Sequence, residues 1–545
     1  MVSRNLWDNP AVIRENLKPN FFKDNALLAQ FALVVSFLFS CVLPEEVAKE
    51  VDEKAYAILA ERSEAIFGVS SDFRIEPPEN SLRQQLLNGD IAELDDLNLV
   101  GCLEIAAENS REYQSRKEDL YRSVLALSLE QWNYGPQFDL DVSAVSADGD
   151  ETVRAGLGVN KLLGSGANVI GAVGGSLLKV ASGGAGWDSL SDASFSITQP
   201  LLGGAAREVI REPLTQAERN LVYEVRSFER YRSTFSLEIA TKYFQLIETI
   251  DNVRNEEDNF KGLLLLSQRN QALAEAGHLS DIEADEAKQD TLESENRLLE
   301  LRGGLSQQLD SFKLYLGLPI GVELGLVRSS MEEFENFESH LINLGEDKAN
   351  QIAFKERLDY LNRTDATYDA ERKVRVAEEA LKSGLDLQVS TERSDGGSTN
   401  WSRSLSLDLP IRRVPEHNAY RGSLISLEAA YRSEQEMGDS IIASLRDELR
   451  KLLNTKKSYL IQLNAVDLAQ QRVESTDLSL AAGRSDTRSA LDARRALLSA
   501  KNALTSALVD RLLARLSLLS EMGLLRIGPS GFEIESGQIV PENES

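Results

Sequence analysis

The chain has 545 residues, 42% of them hydrophobic, with 87 Asp and Glu against 59 Lys and Arg, for a net charge of −28. That length allows two or three compact domains or one elongated architecture. Such acidity excludes a nucleic-acid partner, whose phosphates need a basic surface, and fits either a well-solvated exterior or an electronegative passage that favours cations.

The first element is an apolar run from Ala26 to Phe39, preceded by Lys23. It is too short to cross a bilayer but suits the hydrophobic stretch of a signal peptide ending near residue 40. Leu38-Phe39-Ser40-Cys41 is similar to a bacterial lipobox with Cys41 as the lipidated residue, and a cleaved signal without lipid is the competing reading. One lipid chain would assist membrane anchoring without being decisive. No later segment can form a transmembrane helix, so any membrane part must be a β-barrel.

Residues 41–100 form an N-terminal extension, and Cys102 then lies in the apolar run NLVGCLEIAAENS, where a buried structural thiol is expected. From here the chain repeats itself. Ser194-Phe195-Ser196-Ile197-Thr198-Gln199-Pro200 returns as Ser404-Leu405-Ser406-Leu407-Asp408-Leu409-Pro410, 210 positions later. Glu275-Ala276-Gly277 returns as Ala481-Ala482-Gly483, and Leu316-Gly317-Leu318 as Met522-Gly523-Leu524, both offset by 206. The first strands, Phe138–Val142 and Leu385–Val389, are offset by 247, so the first unit carries about 37 extra residues, in the Gly-rich stretch 152–187. That insertion reads as an additional hairpin, expected to extend beyond the barrel rather than to add strands to it.

Four strands are predicted, near 137–145, 191–200, 385–392 and 402–410, each with strict apolar–polar alternation. Trp132, Trp187 and Trp401 fall beside strand ends, as an aromatic girdle requires. Between Pro213 and Pro319, and again between Pro415 and Pro529, proline is absent and strong helix formers dominate. Each stretch is broken once by the repeated Ala-Gly step, giving arms from about Pro213 to Ala276 and His417 to Ala482, about 95 Å long at ~1.5 Å per residue. Leu292, Leu298, Leu299, Leu305, Leu309 and Phe312 mark one or two packing seams. The resulting organisation is repeat 1 over 101–319, a linker over 320–345, repeat 2 over 346–525 and an acidic tail over 526–545. His278, His340 and His417 are far apart, and HExxH, CxxC, GxSxG and Walker spacings are all missing, so no enzyme, metal site or cofactor is expected.

The order helix, strand, strand, long helix, Ala-Gly turn, long helix, given twice, resembles the TolC-type outer-membrane efflux proteins. The closest stretches are Gly483–Ala493 running on to Leu504, Leu316–Pro319, the Ser-x-Ser-x-x-x-Pro before each long helix, and Ala106–Ser110. The resemblance covers roughly 101–525. It implies a mainly α chain with a small β part, assembled as a homotrimer. A 12-stranded outer-membrane β-barrel would continue into a long periplasmic α-helical barrel. It further implies a Gram-negative outer membrane, an export role in tripartite efflux or type I secretion, a periplasmic membrane-fusion (adaptor) protein and an inner-membrane pump. The tips around Gly277, His278, Leu279, Ser280 and Gly483, Arg484, Ser485 would dock the adaptor. Asp492 matches a lumen-facing aspartate of the family's constriction, with Ser489 where a second aspartate is common and Glu286 as the first-unit counterpart. A periplasmic coiled-coil scaffold without a pore is the alternative, which would need neither the strand alternation nor the flanking Trp.

Overall fold

The computed structural model describes residues 44–67, 73–76, 81–89, 93–147, 150–179, 188–202, 207–328, 345–394, 397–409, 411–528 and 531–534. Cys41, the signal-peptide run, Trp187, His340 and the end of the acidic tail lie outside them. The chain divides into two units, residues 1–73 and 74–545. In the first, helix α1 (Pro44–Phe67) is the described element, with Glu45 and Glu46 in its first turn. Carboxylates there complement the positive helix start.

The second unit opens with α2 (Leu82–Asn88), β1 (Glu93–Leu97), α3 (Leu99–Asn109) and α4 (Arg111–Asn133). Ser81, Asn98 and Ser110 cap these helices by accepting from amides three residues on. Strands β2 (Gln137–Ala147), β3 (Asp150–Leu162), β4 (Asn168–Lys179) and β5 (Asp188–Leu202) lead to the helical hairpin of α5 (Arg207–Glu275) and α6 (Asp281–Leu316). After β6 (Glu323–Leu326), α7 (Glu346–Glu356) and α8 (Leu358–Glu379), strands β7 (Gly384–Ser394) and β8 (Asn400–Asp408) precede the second hairpin, α9 (Val414–Ala481) and α10 (Thr487–Glu521). The hairpin β9 (Leu525–Gly528) and β10 (Gly531–Ile534) follows.

Both long arms begin earlier than the prolines suggest. Helix α9 starts at Val414 with Pro415 in its first turn, where the missing N–H has no partner to lose. Helix α5 starts at Arg207 and runs through Pro213. The ring there removes one ladder bond, and the Tyr134 hydroxyl donates to the nearby Ile210 carbonyl, tying the end of α4 to this weakened turn.

The core gathers where short elements wrap the middle of the long helices. Tyr243, Phe244, Phe312 and Leu316 are buried there with Leu99, Cys102, Ala353, Leu445, Leu518 and Leu525. Fully burying each such large side chain contributes about 1.5–3 kcal/mol. Tyr113 packs against Phe228, Tyr231 and Phe235, and Phe235 stacks on Tyr315 at 5.5 Å. The stretch expected as a linker contains β6, which pairs parallel with β1 (Glu93↔Glu323, Leu94↔Leu324). The start of the expected tail forms β9–β10, whose Phe532 packs on the same core. Burial pushes the Cys102 thiol up to about 12, in keeping with an inert thiol.

Below this core α6 and α9 bury little. Leu298 of α6 faces inward, whereas Leu292 and Leu299 are exposed. Past the core residues Ile441, Leu445 and Leu452, α9 buries only Val473, while Leu460, Ile461, Leu463, Leu468 and Leu478 are exposed. Among the described residues no helix is long and apolar enough to cross a membrane.

The main sheet corrects one expectation. It has six strands in the order β2-β3-β4-β5-β7-β8, all antiparallel, instead of four. The insertion does not project beyond the sheet. It supplies β3 and β4, paired along their whole length with β2 and β5.

Candidate functional site

Three regions stand out: the helical tips, an exposed stripe just above them, and the two faces of the sheet. At the tips the duplication holds atom by atom. Gly277 and Gly483 adopt φ values of +73° and +69°, the left-handed region that glycine enters without penalty. The His278 amide donates to the Leu273 carbonyl and the Arg484 amide to the Ser479 carbonyl, while each glycine amide donates to the carbonyl three residues back. This is the closure that satisfies the last carbonyls of a helix. Ser280 then caps α6 in a reciprocal box with Glu283, and Asp486 caps α10 through the Ser489 amide at 3.0 Å. The Ser489 hydroxyl and amide hold the Asp486 carboxyl below the usual carboxylate range.

The expected docking residues Gly277, His278, Ser280, Gly483 and Arg484 are all exposed, and Leu279 and Ser485 are partly so. A Cβ on either turn glycine would meet open space. Both turns therefore present backbone and short side chains without steric cover.

Asp492 is exposed between the buried Leu491 and Ala493, so it turns away from the intrachain seam of Leu263, Leu266, Ala490 and Leu491. Ser489 lies one turn earlier on the same exposed side but is engaged in the cap of α10. Glu286 is half-buried on α6. Two residues that the sequence reading passed over complete this region. Arg495 pairs with Asp492 at 3.5 Å and also with Asp290 of α6, whose side chain is buried. Arg494 bridges to Asp477 of α9 at 2.8 Å and lies over Gly262 of α5. The spacing of Asp492 and Arg495, three apart on one helix, was the available signal. Asn270 and Thr487 add a buried hydrogen bond of 3.0 Å between α5 and α10. Together these ties join the two hairpins just above their tips.

The sheet divides largely by polarity, although Arg393 and Arg403 stand on the apolar side and the exposed Val145, Ile170 and Leu190 on the polar one. Adjacent partners share a face in an antiparallel pair, and the row Phe138–Val159–Gly171–Phe195–Thr391–Trp401 defines one side. Leu140, Leu157, Val173, Leu387, Leu405 and Leu407 lie on it, and each is well exposed. Phe138 is 72% and Trp401 66% exposed, so this side presents a contiguous apolar surface of the kind that marks contact with lipid or a partner. The opposite face carries Asp139, Asp141, Asp192, Asp386, Glu392 and Asp408 among serines, threonines and glycines, with Arg154 as a lone described cation. Arg413 neutralises Asp408 at 2.7 Å and binds the Ala380 and Lys382 carbonyls, fastening the β7–β8 base to α8. Among the described residues no group of three or more His, Cys, Asp or Glu side chains is placed to hold a metal ion.

This architecture is that of the TolC-type outer-membrane channels. The transmembrane channel CusC matches with a TM-score of 0.60 at 14% identity, over 79% of this chain and 93% of that one. VceC, an outer membrane protein of Vibrio cholerae, matches with 0.58 at 14% identity over 78% and 96%. The Campylobacter jejuni outer membrane channel CmeC matches with 0.57 at 14% identity over 86% and 92%. No family model and no curated protein matches the sequence.

Proposed function

We propose that the chain is one subunit of a homotrimeric outer-membrane channel, a passive duct from periplasm to exterior in a tripartite efflux or type I secretion assembly. The observation that carries this reading is the sheet with one broad exposed apolar face and one acidic face, mounted on two long helical hairpins. An apolar outer face with a polar inner one is the pattern of a barrel in lipid. The sheet has two unpaired edges and cannot close within one chain, so closure requires further copies. The exposed leucines of α6 and α9 are lateral helix faces that neighbouring copies would cover. In this assembly Asp492, with Glu286 on the neighbouring hairpin, lines the narrow end, and Ser489 shapes the helix start beneath it. The turns Gly277–Ser280 and Gly483–Ser485 dock a periplasmic adaptor protein, through which an inner-membrane pump supplies the energy. Cys41 lipidation would add an anchor in the same membrane.

The test is reconstitution of the detergent-solubilised protein into planar bilayers. Discrete conductance steps from a trimer-sized species are expected. A monodisperse protein of the soluble periplasmic fraction without conductance would replace this reading with a pore-less coiled-coil scaffold.

A further inference from the structure

The insertion in the first repeat changes the membrane part of this chain. Strands β3 and β4 have 13 and 12 residues, as long as the 11-residue β2 beside them. They continue the division of faces: Leu157, Val159, Val169 and Val173 fall on the apolar side with Phe138 and Phe195. The decisive feature is the turn that joins them. Its Leu163 amide donates to the Ala167 carbonyl, and Gly166, at φ +82°, packs so closely on Ile210 of α5 and Pro200 of β5 that a Cβ would overlap both. The Ser165 hydroxyl and carbonyl engage the Gln199 amide group at 3.2 and 3.0 Å, and Ala167 is buried. The turn is thus fastened at the level where the sheet meets the helices, and the hairpin returns the full height of the sheet.

Six strands per chain also keep the count even. Strand directions alternate across the sheet, so β2 and β8 run oppositely, and β8 of one copy can pair antiparallel with β2 of the next. All nine residues of β8 are exposed, and a long edge strand with Trp401, Leu405 and Leu407 along one side is the kind that a partner covers. The row Gln137–Asn160–Ile170–Ser196–Ser390–Ser402 starts at the first residue of β2 and meets β8 six residues before Asp408. That slip, about 20 Å over five steps of ~4.8 Å, is a tilt of roughly 40°, within the range at which barrels close.

We propose that β3 and β4 are wall strands and that three copies, joined β8 to β2, close an eighteen-stranded barrel. The inference rests on the trimeric channel reading above. At the same tilt such a barrel is about 36 Å across between backbones, against about 24 Å for twelve strands. The membrane exit is then half again as wide, and any size limit on cargo falls to the helical tips.

Single cysteines at Ser165, in the β3–β4 turn, and Ser398, in the β7–β8 turn at the opposite end of the sheet, distinguish the cases. Intact cells are treated with a polyethylene-glycol maleimide too large for outer-membrane pores, with the parent chain as background. The expected result is labelling of Ser398→Cys, with Ser165→Cys at the parent level until the outer membrane is permeabilised. Labelling of both in intact cells places the hairpin outside and overturns the inference while leaving the channel reading intact. Labelling of neither removes the channel reading, and the barrel with it. Electron cryomicroscopy of the full-length protein in nanodiscs then counts the strands directly: eighteen supports the proposal, and twelve refutes it.

Discussion

Arg495 stands one helical turn beyond Asp492 and divides its charge between that aspartate and Asp290. Exposed pairs of this kind are worth about 0.2–1 kcal/mol. A ring of three Asp492 carboxylates at the narrow end would therefore be partly neutralised by each chain's own guanidinium. Replacing Arg495→Ala is expected to lower the divalent-cation concentration that half-blocks the channel by about 1.4-fold to fivefold, the range such pair energies imply. Asp492→Ala should shift it the other way. Single-channel recording in graded Mg²⁺ measures both, and unchanged block in the two variants would remove Asp492 from the constriction. The glycines separate on similar grounds. At Gly277 an added Cβ meets open space, and the cost of Gly277→Ala is the left-handed conformation alone, about 1 kcal/mol. Gly317 shares that conformation, but its Cβ would run into the Asn109 carbonyl. Gly317→Ala should cost about 3 kcal/mol, strain plus overpacking. Thermal melts of the purified protein check the order, and equal losses would contradict it.

At the scale of elements, a half-buried charge cluster joins α5, α8 and α10. Arg357 pairs with Asp359 at 2.8 Å and with Glu521 at 2.6 Å, and Arg230 approaches both carboxylates. Burial alone would raise the Asp359 carboxyl, but the Arg357 hydrogen bond and the two guanidinium charges more than offset it and hold it below the usual range. A depressed folded-state value contributes stability that is complete above the ordinary aspartate value of about 3.9 and is lost as pH falls through the lower folded one. The near-ultraviolet dichroism of the helical part should therefore persist to about pH 4 and fail only below it, whereas loss between pH 5 and 7 would contradict this role. Arg357→Ala should move the acid transition upward. The long helices, the tip glycines and the four strands near 137, 191, 385 and 402 were legible because repetition doubled each signal and alternation was strict. The inserted hairpin was legible as a hairpin but not as part of the sheet, because Gly156, Gly158, Gly171, Gly174 and Gly175 in β3 and β4 dilute the alternation that marks a wall strand. Two of those glycines have a physical use: a Cβ at Gly158 would run into the Asp139 carboxylate, and one at Gly174 would crowd that of Asp192. Pairing partners, not local propensity, decide such strands. The links of Arg494 and Arg495 stayed hidden for the same reason: Asp477 and Asp290 lie on other helices.

For the whole assembly, the acidity of the sequence acquires a location. On the polar face of the sheet, Asp139, Asp141, Asp192, Asp386 and Glu392 have no ion-pair partner among the described residues, while Asp408 is held by Arg413. Arg154 is the cation set against those five. Closed as the eighteen-stranded barrel proposed above, the sheet would turn this imbalance into a negative potential across a bore of roughly 12 Å radius once side chains are allowed for. Screening decides how far that potential reaches: the Debye length is about 10 Å at 0.1 M salt and about 3 Å at 1 M. At 0.1 M the field spans most of the bore, so reversal potentials in a KCl gradient should show K⁺ preferred over Cl⁻. At 1 M only ions close to the wall feel it, and the ratio should fall towards one. The double substitution Asp139→Asn, Asp141→Asn should reduce the preference at 0.1 M and change little at 1 M. A preference that survived high salt unchanged would place the selecting charges in a narrow passage, at the helical tips, and not on the barrel wall.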